Sequence, residues 1–310
     1  MKKLNPLVSI IIPTYNREKL IDKTIYSIIN QTYQNIEIIV VDDCSKDKTI
    51  DIVNGIKDSR IVYKVLDKNQ GAPAARNIGI QIATGDYIAF LDSDDRWEPN
   101  KLELQLNLIK SKPNVGVVYT GIKVIDETSK TENVKTPNIR GQILQKLLIR
   151  NCVGSTSSVL IDKELLLKVN GFDLTLKSCQ DWDLWIRLAK LTEFDFVEEP
   201  LLLYYIHEGE RISTNFDSVY EGHFAIYKLY KDLIEKLPSK DKQDALYYIG
   251  KIILKSGVMM QDQFVIEKGR NLIKKGIKAY PYAFKNYSWY MYSHLNINLQ
   301  RKIYKYVKGI

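Results

Sequence analysis

Residues 8–16 read VSIIIPTYN, residues 36–45 read IEIIVVDDCS, and residues 87–95 read YIAFLDSDD. Each opens with a short, continuous apolar run rich in β-branched residues and closes in polar or acidic ones. A run with no polar alternation is what a strand covered on both faces requires. The runs Val8–Ile12, Ile36–Val41, Ile61–Leu66 and Tyr87–Leu91 are therefore expected to be strands. Between them lie stretches of helical periodicity at Glu18–Ile29, Asp47–Ile56 and Ala74–Ala83. Strand, helix, strand in repetition predicts right-handed crossovers and an α/β fold, a Rossmann-like, mostly parallel, doubly wound sheet.

In such a sheet ligands bind outside the carboxyl ends of the strands, which is where the polar clusters fall. The first strand ends in Pro13, Thr14, Tyr15 and Asn16, the second in Asp42 and Asp43, and the fourth in Asp92, Ser93, Asp94 and Asp95. Turn and cap chemistry would explain each cluster separately, with Asp47 as a helix cap and Asp43 or Ser45 in a turn. Their common location points to a site.

Several nucleotide and hydrolase sites are excluded. No glycine precedes Gly55, so the first turn cannot be a GxGxxG dinucleotide cradle. The Gly116–Gly121 spacing is followed by Ile122 and Lys123, which is no P-loop. GxSxG and HExxH are also missing. What remains is a phosphate site without a glycine cradle. Carboxylates tolerate a diphosphate beside them when a hard cation lies between, and Asp92 and Asp94 are spaced to bind Mn2+ or Mg2+ in that way.

The segments Ser9–Asn16, Val41–Ser45, Ala75–Gly79 (ARNIG) and Phe90–Asp95, in this order, resemble the inverting glycosyltransferases of family two, of the bacterial or archaeal surface-glycan type, which have the GT-A fold. The resemblance spans roughly residues 7–213. It implies that a sugar moves from a nucleoside-diphosphate donor to an acceptor hydroxyl. On that basis Asp43 contacts a uracil-type base, Asp92 lies near the ribose and Asp94 ligates the metal. Pro13, Thr14, Tyr15, Asn16 and Ser93 belong to the donor pocket, with Arg76 as a further donor contact. One departure is Cys44, where the family often has glycine.

Inversion needs a carboxylate to take the acceptor proton. In the helical stretch QDWDLWIRL, residues 180–188, Asp183 has Arg187 four residues on and reads as half of an ion pair. Asp181 has Trp185 there instead. An aromatic neighbour raises its basicity and the helix amino end lowers it. The resemblance also points to Asp181 as the base. The segment from Tyr204 to Ser213 resembles the family's closing element, which implies that His207 reaches the metal or diphosphate, assisted by Arg211 and Ser213. Glu210 departs from the small residue common there. Trp182 and Trp97 are read either as sugar-stacking faces or as core. His223 and His294 are read as satisfied or exposed histidines without a role.

The charge divides the chain. Of 45 Lys and Arg and 37 Asp and Glu overall, residues 215–310 hold 17 and 8, a net charge of +9 on a stretch with 12 of the 20 tyrosines. The expected organisation is a GT-A domain over 1–214 and a basic, Tyr-rich helical region over 215–310. Lys-rich helices fit a solvated face, an anionic membrane surface or an oligomer contact. No RRM, KH or zinc-finger pattern is present, so a nucleic-acid partner is not expected. Three scattered cysteines give no disulfide framework, and no window is apolar enough to span a bilayer. The expected location is cytoplasmic, peripheral at the inner face of the membrane. The expected partners are a UDP-sugar and a glycan or polyisoprenoid-linked acceptor. Two other classes share parts of this pattern, a metal-dependent nucleotidyltransferase and an inactive nucleotide-sugar binding protein. The first lacks its lysine- or arginine-bearing glycine-rich loop here, and the second would have no use for Asp181.

Overall fold

A computed structural model describes residues 4–206 and 215–308. The chain divides into two compact units. The first contains the described residues up to 143, 152–174 and 184–206; the second contains 144–151, 175–183 and 215–308.

The first unit is a nine-stranded sheet. Its elements are β1 (Val8–Thr14), α1 (Ile21–Ile29), β2 (Ile36–Asp42), α2 (Thr49–Gly55), β3 (Ile61–Val65), α3 (Ala72–Ile82), β4 (Tyr87–Phe90), β5 (Arg96–Trp97), α4 (Lys101–Ser111), β6 (Val115–Asp126) and β7 (Thr131–Lys135). After α5 (Leu144–Ile149), which belongs to the second unit, come β8 (Leu160–Asp162), α6 (Lys163–Lys168), α7 (Gln180–Leu188) and β9 (Glu193–Ile206). A 3-10 turn at Thr156–Ser158 precedes β8.

The strand order is β3-β2-β1-β4-β8-β6-β9-β5, with β7 on β6. Strands β1 to β4 pair in parallel, and β6 pairs in parallel with β9. Because β8 is antiparallel to both β4 and β6, six strands run one way and only β5, β7 and β8 oppose them. The expected mostly parallel sheet is present. Both faces of β1 are covered, which is why its apolar run does not alternate. Ile10 and Ile12 pack with α1, α2 and α4 residues in one core. Ile11 meets α3 on the other face, so closely that a Cβ on Gly79 would fall 2.4 Å from its side chain. The third run differs from expectation. Strand β3 is an edge strand with Val62 and Val65 exposed, because β2 covers only one of its sides.

The second unit is helical: α8 (Phe216–Glu235), α9 (Ser239–Met260), α10 (Gln263–Ala279), α11 (Lys285–Tyr292) and α12 (Ile297–Lys308) join α5. Gln261 turns the chain in the left-handed region, and the Asp262 carboxylate accepts from the Phe264 and Val265 amides to start α10. Helices α9 and α10 then pack through Gly250, Gly257 and Gly269, where an added Cβ would meet the facing backbone within 3 Å.

Candidate active site

The carboxyl ends of β1, β2 and β4 meet at one edge of the first unit. The Asp43 amide donates to the Thr14 carbonyl and the Leu91 amide to that of Ile11, so the polar termini of neighbouring strands are held side by side. Thr14 is buried, while Tyr15 beside it is exposed and Asn16 turns the chain with φ 52°. The Asn16 carboxamide oxygen accepts from the Lys46 amide at 2.8 Å, and its own amide donates to Ser45 Oγ at 2.9 Å. The first two loops are thereby locked together. Pro13 lies inside β1 opposite Val41. Cys44 lies in the left-handed region, φ 68°, which is the physical reason a glycine suits that position.

Asp42 and Asp43 support the edge from below. Asp42 accepts from the Tyr63 hydroxyl and, at 2.7 Å, from the Ser45 amide. Asp43 is 3% exposed, and its two oxygens accept from the amides of Gln70 and Gly71, each at 2.7 Å. Asp43 therefore fixes the loop that leads into α3, and one lone pair on each oxygen is still available.

The DSDD turn follows β4. Arg76, in the first turns of α3, donates to Asp92 Oδ1 at 2.5 Å with its guanidinium over the Phe172 ring. Arg17, which the sequence did not single out, pairs with Asp94 at 3.6 Å. Asp92 and Asp94 keep 31% and 23% of their side chains exposed, whereas Ser93 is buried. Asp95 points inward and is 1% exposed. Burial pushes its carboxyl well above the ordinary range, and the charges of Asp92 and Asp94 add to the shift.

Ser157, also missed from sequence, ties this turn to the 3-10 turn. Its hydroxyl donates to Asp95 Oδ2 at 2.7 Å and accepts from the Asp92 amide at 3.1 Å. Its carbonyl accepts from the Trp97 indole at 2.7 Å. Beneath Trp97 lies Lys101, fully buried, 3.9 Å from the ring centroid and donating to Gln105. Trp97 is thus core support and no sugar platform. The signal for Ser157 was the hydroxyl-rich stretch 152–162, but its partner lies 62 residues away and has no local signature.

Four buried polar atoms at this edge, Thr14 Oγ1, Arg17 Nε, Arg76 Nε and Asp95 Oδ1, have no hydrogen-bond partner among the described residues. Such atoms also occur elsewhere in the chain, as at Gln243 and Asn286, but at this edge they stand beside solvent-accessible carboxylates and give a polar ligand groups to bond. No group of three His, Cys, Asp or Glu side chains arranged to hold a metal ion occurs among the described residues. The carboxylates of Asp92 and Asp94 are nevertheless hard oxygen donors with access to solvent. They fit an Mn2+ or Mg2+ ion whose other ligands come from phosphate and water.

Asp181 stands in the first turn of α7, on the portion that belongs to the second unit. It is half-buried and accepts from Asn151 Nδ2 at 2.9 Å. Burial, with Asp181 nearby, pushes the Cys179 thiol up to about 12. Asp183 is 2% exposed and accepts from the Tyr230 hydroxyl at 2.5 Å, so it is a core group of the second unit. Trp182 is also core: it is 2% exposed, its indole donates to the Leu147 carbonyl, and it packs edge-on against His223 and Tyr248. That corrects its reading as an acceptor-stacking face. His223 is half-buried with Nδ1 2.8 Å from the Val219 carbonyl, and His294 is exposed. His207, Arg211 and Ser213 lie outside the described residues.

The Glycosyl transferase family 2 model matches residues 9–169, which include every donor-edge residue described above and stop short of Asp181. A putative colanic acid biosynthesis glycosyl transferase of Escherichia coli K12, WcaA, is 33% identical over 252 residues, covering 80% of this chain and 89% of that protein. The Escherichia coli UDP-Glc:alpha-D-GlcNAc-diphosphoundecaprenol beta-1,3-glucosyltransferase WfgD is 38% identical over 184 residues, 59% of this chain and 70% of that one. Among solved structures, residues 1–349 of S. aureus TarS superpose with a TM-score of 0.66 over 98% of this chain and 92% of that one, at 18% identity. The same TarS segment has been solved in complex with UDP-GlcNAc, at a TM-score of 0.59 over 97% of this chain and 92% of that one, with 19% identity. The fold is accordingly GT-A, and the chain belongs to glycosyl transferase family 2, whose activity is glycosyl transfer.

Proposed function

We propose that the chain moves a hexosyl or N-acetylhexosaminyl group, with inversion, from a UDP-sugar to a hydroxyl of a glycan or lipid-linked acceptor. The observation that carries this reading is the edge itself. Two partly exposed carboxylates, two arginines with buried unpaired nitrogens, and the Asp43 carboxylate come together where a parallel sheet opens. Such a surface has acceptors for a ribose and a base and cations for a diphosphate. The relatives' names support the same class, because WfgD is named for a UDP-glucose donor and a diphosphoundecaprenol acceptor, and TarS binds UDP-GlcNAc.

In this reading Asp43 accepts from the base, Asp92 accepts from the ribose, and Thr14, Tyr15 and Asn16 line the pocket with Pro13 and Ser93 behind them. Arg76 holds Asp92 in place and, with Arg17, faces the donor phosphates. Asp94, with Asp92 beside it, would hold an Mn2+ or Mg2+ ion. That ion, when bound, neutralises charge on the departing diphosphate. Asp181 accepts the proton of the acceptor hydroxyl as its oxygen bonds to the anomeric carbon and the bond from that carbon to the diphosphate oxygen breaks. His207, Arg211 and Ser213 keep the diphosphate-side roles that the family resemblance gives them. The location in this reading is the inner face of the membrane, where nucleotide sugars are available.

Incubation with a panel of nucleoside-diphosphate sugars plus Mn2+ tests the proposal. Slow release of nucleoside diphosphate, greatest with one UDP-sugar, is expected. Release of pyrophosphate would identify a nucleotidyltransferase, and binding without any release an inactive binder.

A further inference from the structure

The last stretch of the second unit has a surface to which none of the roles above is assigned. From residue 268 to residue 310 the sequence contains ten Lys and Arg and no Asp or Glu. The same stretch carries several exposed large apolar side chains, including Phe284 just before α11, Met291 near its end, and Leu299, Ile303, Tyr306 and Val307 on α12. Tyr306 and Val307 are 88% and 75% exposed.

The placement on α12 is ordered. At about 100° per residue, Leu299, Ile303, Tyr306 and Val307 share an arc of about 100°, and Lys302 and Lys305 border it on one side. The inward edge of the helix is different. Gln300 is buried, with its amide donating to the carbonyls of Tyr292 and Leu295, and Ile297 packs on the cluster built from Leu254, Val258, Ile266 and Ile273. Helix α12 is thus held to the bundle along one edge, while its apolar arc has no cover among the described residues. Single exposed apolar residues are ordinary; an aliphatic stripe bordered by lysines on a segment without one acidic residue is not.

Charge decides what fits. A second copy meeting this face would bring Lys302 and Lys305 against like charges, with no acidic residue of the segment to offset them. A nucleic acid would satisfy the lysines and leave Leu299, Ile303 and Val307 without a gain. A bilayer with anionic headgroups satisfies both, because acyl chains accept the stripe while the lysines reach the phosphates. We propose that α12 forms a docking face that lays the chain on an anionic phospholipid surface. This goes beyond the catalytic reading and does not depend on it.

Flotation of the full chain with vesicles tests it, using phosphatidylcholine alone and phosphatidylcholine mixed equally with phosphatidylglycerol, each at low and high salt. Binding to the mixed vesicles and little to the neutral ones is expected, weakening as salt rises. Lys302→Ala and Lys305→Ala should each lower binding about fivefold. Leu299→Ser with Ile303→Ser should lower it about tenfold or more on the mixed vesicles, with melting and donor hydrolysis unchanged. Equal flotation with both vesicle types, no flotation, or binding indifferent to the Leu299→Ser and Ile303→Ser pair would overturn the proposal. Competition by duplex DNA that is itself insensitive to that pair identifies charge attraction alone and also overturns it. Because donor hydrolysis is measured without vesicles, failure of the catalytic reading and failure of the docking proposal are separate results.

Discussion

Two buried carboxylates, one in each unit, are held in opposite ways. Asp183 in the second unit is buried and accepts from the Tyr230 hydroxyl. Asp95 in the first unit has one oxygen bonded to Ser157 and two acidic neighbours that, with burial, raise its proton affinity against the pull of Ser157 and the Tyr205 backbone. A fold optimised only for stability would not gather carboxylates of one sign at a buried edge, since the arrangement costs desolvation and repulsion together. Asp183 belongs to packing. Asp95 belongs to a site whose polarity is kept for something that binds there.

Substitutions can break this contrast, and the largest effect is expected at the proposed base. Asp181→Asn should lower transfer by about a thousandfold while donor binding, followed by calorimetry, is retained; unaltered turnover would remove Asp181 from the chemistry. Next comes Asp94→Ala, which should lower metal-dependent donor affinity by about a hundredfold. An unchanged titration with and without Mn2+ would show that the edge binds donor through its arginines alone.

The pair Ser157→Ala and Tyr230→Phe sharpens the comparison directly. Each removes one hydroxyl from a buried carboxylate and should cost about 1–3 kcal/mol of stability in denaturant melts. Only Ser157→Ala should also raise the donor KM, several-fold, with partial rescue by Ser157→Thr, because it frees the Asp92 amide. Equal kinetics for the two variants would mean that Ser157 is packing as well.

The smallest effect concerns pH. Burial holds the His223 imidazolium below its usual pKa, partly offset by the bond to the Val219 carbonyl. The unfolded chain then binds the proton more readily than the folded one. The stability this histidine confers is present above about pH 6.5 and is lost as pH falls toward its lower folded value. The thermal midpoint should drop over that acid range, and His223→Phe should flatten the drop.

The strands β1, β2 and β4 and the helices between them were legible because their signals are local: β-branched runs, helical periodicity, and polar residues at strand ends. The acidic edge was legible for the same reason, since the carboxyl ends of parallel strands must lie side by side. The roles of Arg17 and Ser157 were not. The first pairs with Asp94 and the second with Asp95 across 77 and 62 positions of sequence, distances over which no periodicity reports a contact. Trp182 shows the same limit, since an aromatic at a helix start reads alike whether it faces solvent or the Leu147 carbonyl.

The sequence by itself determined the order of elements as far as β4, the polar edge and the concentration of positive charge after residue 267. These are properties of neighbouring residues, and steric and solvation rules act on them locally. Only the tertiary structure decided which carboxylate is buried, which serine holds it, which arginines pair with its exposed neighbours, and which side of α12 is uncovered among the described residues. Those outcomes depend on desolvation and hydrogen bonding between segments that meet only after the chain has folded.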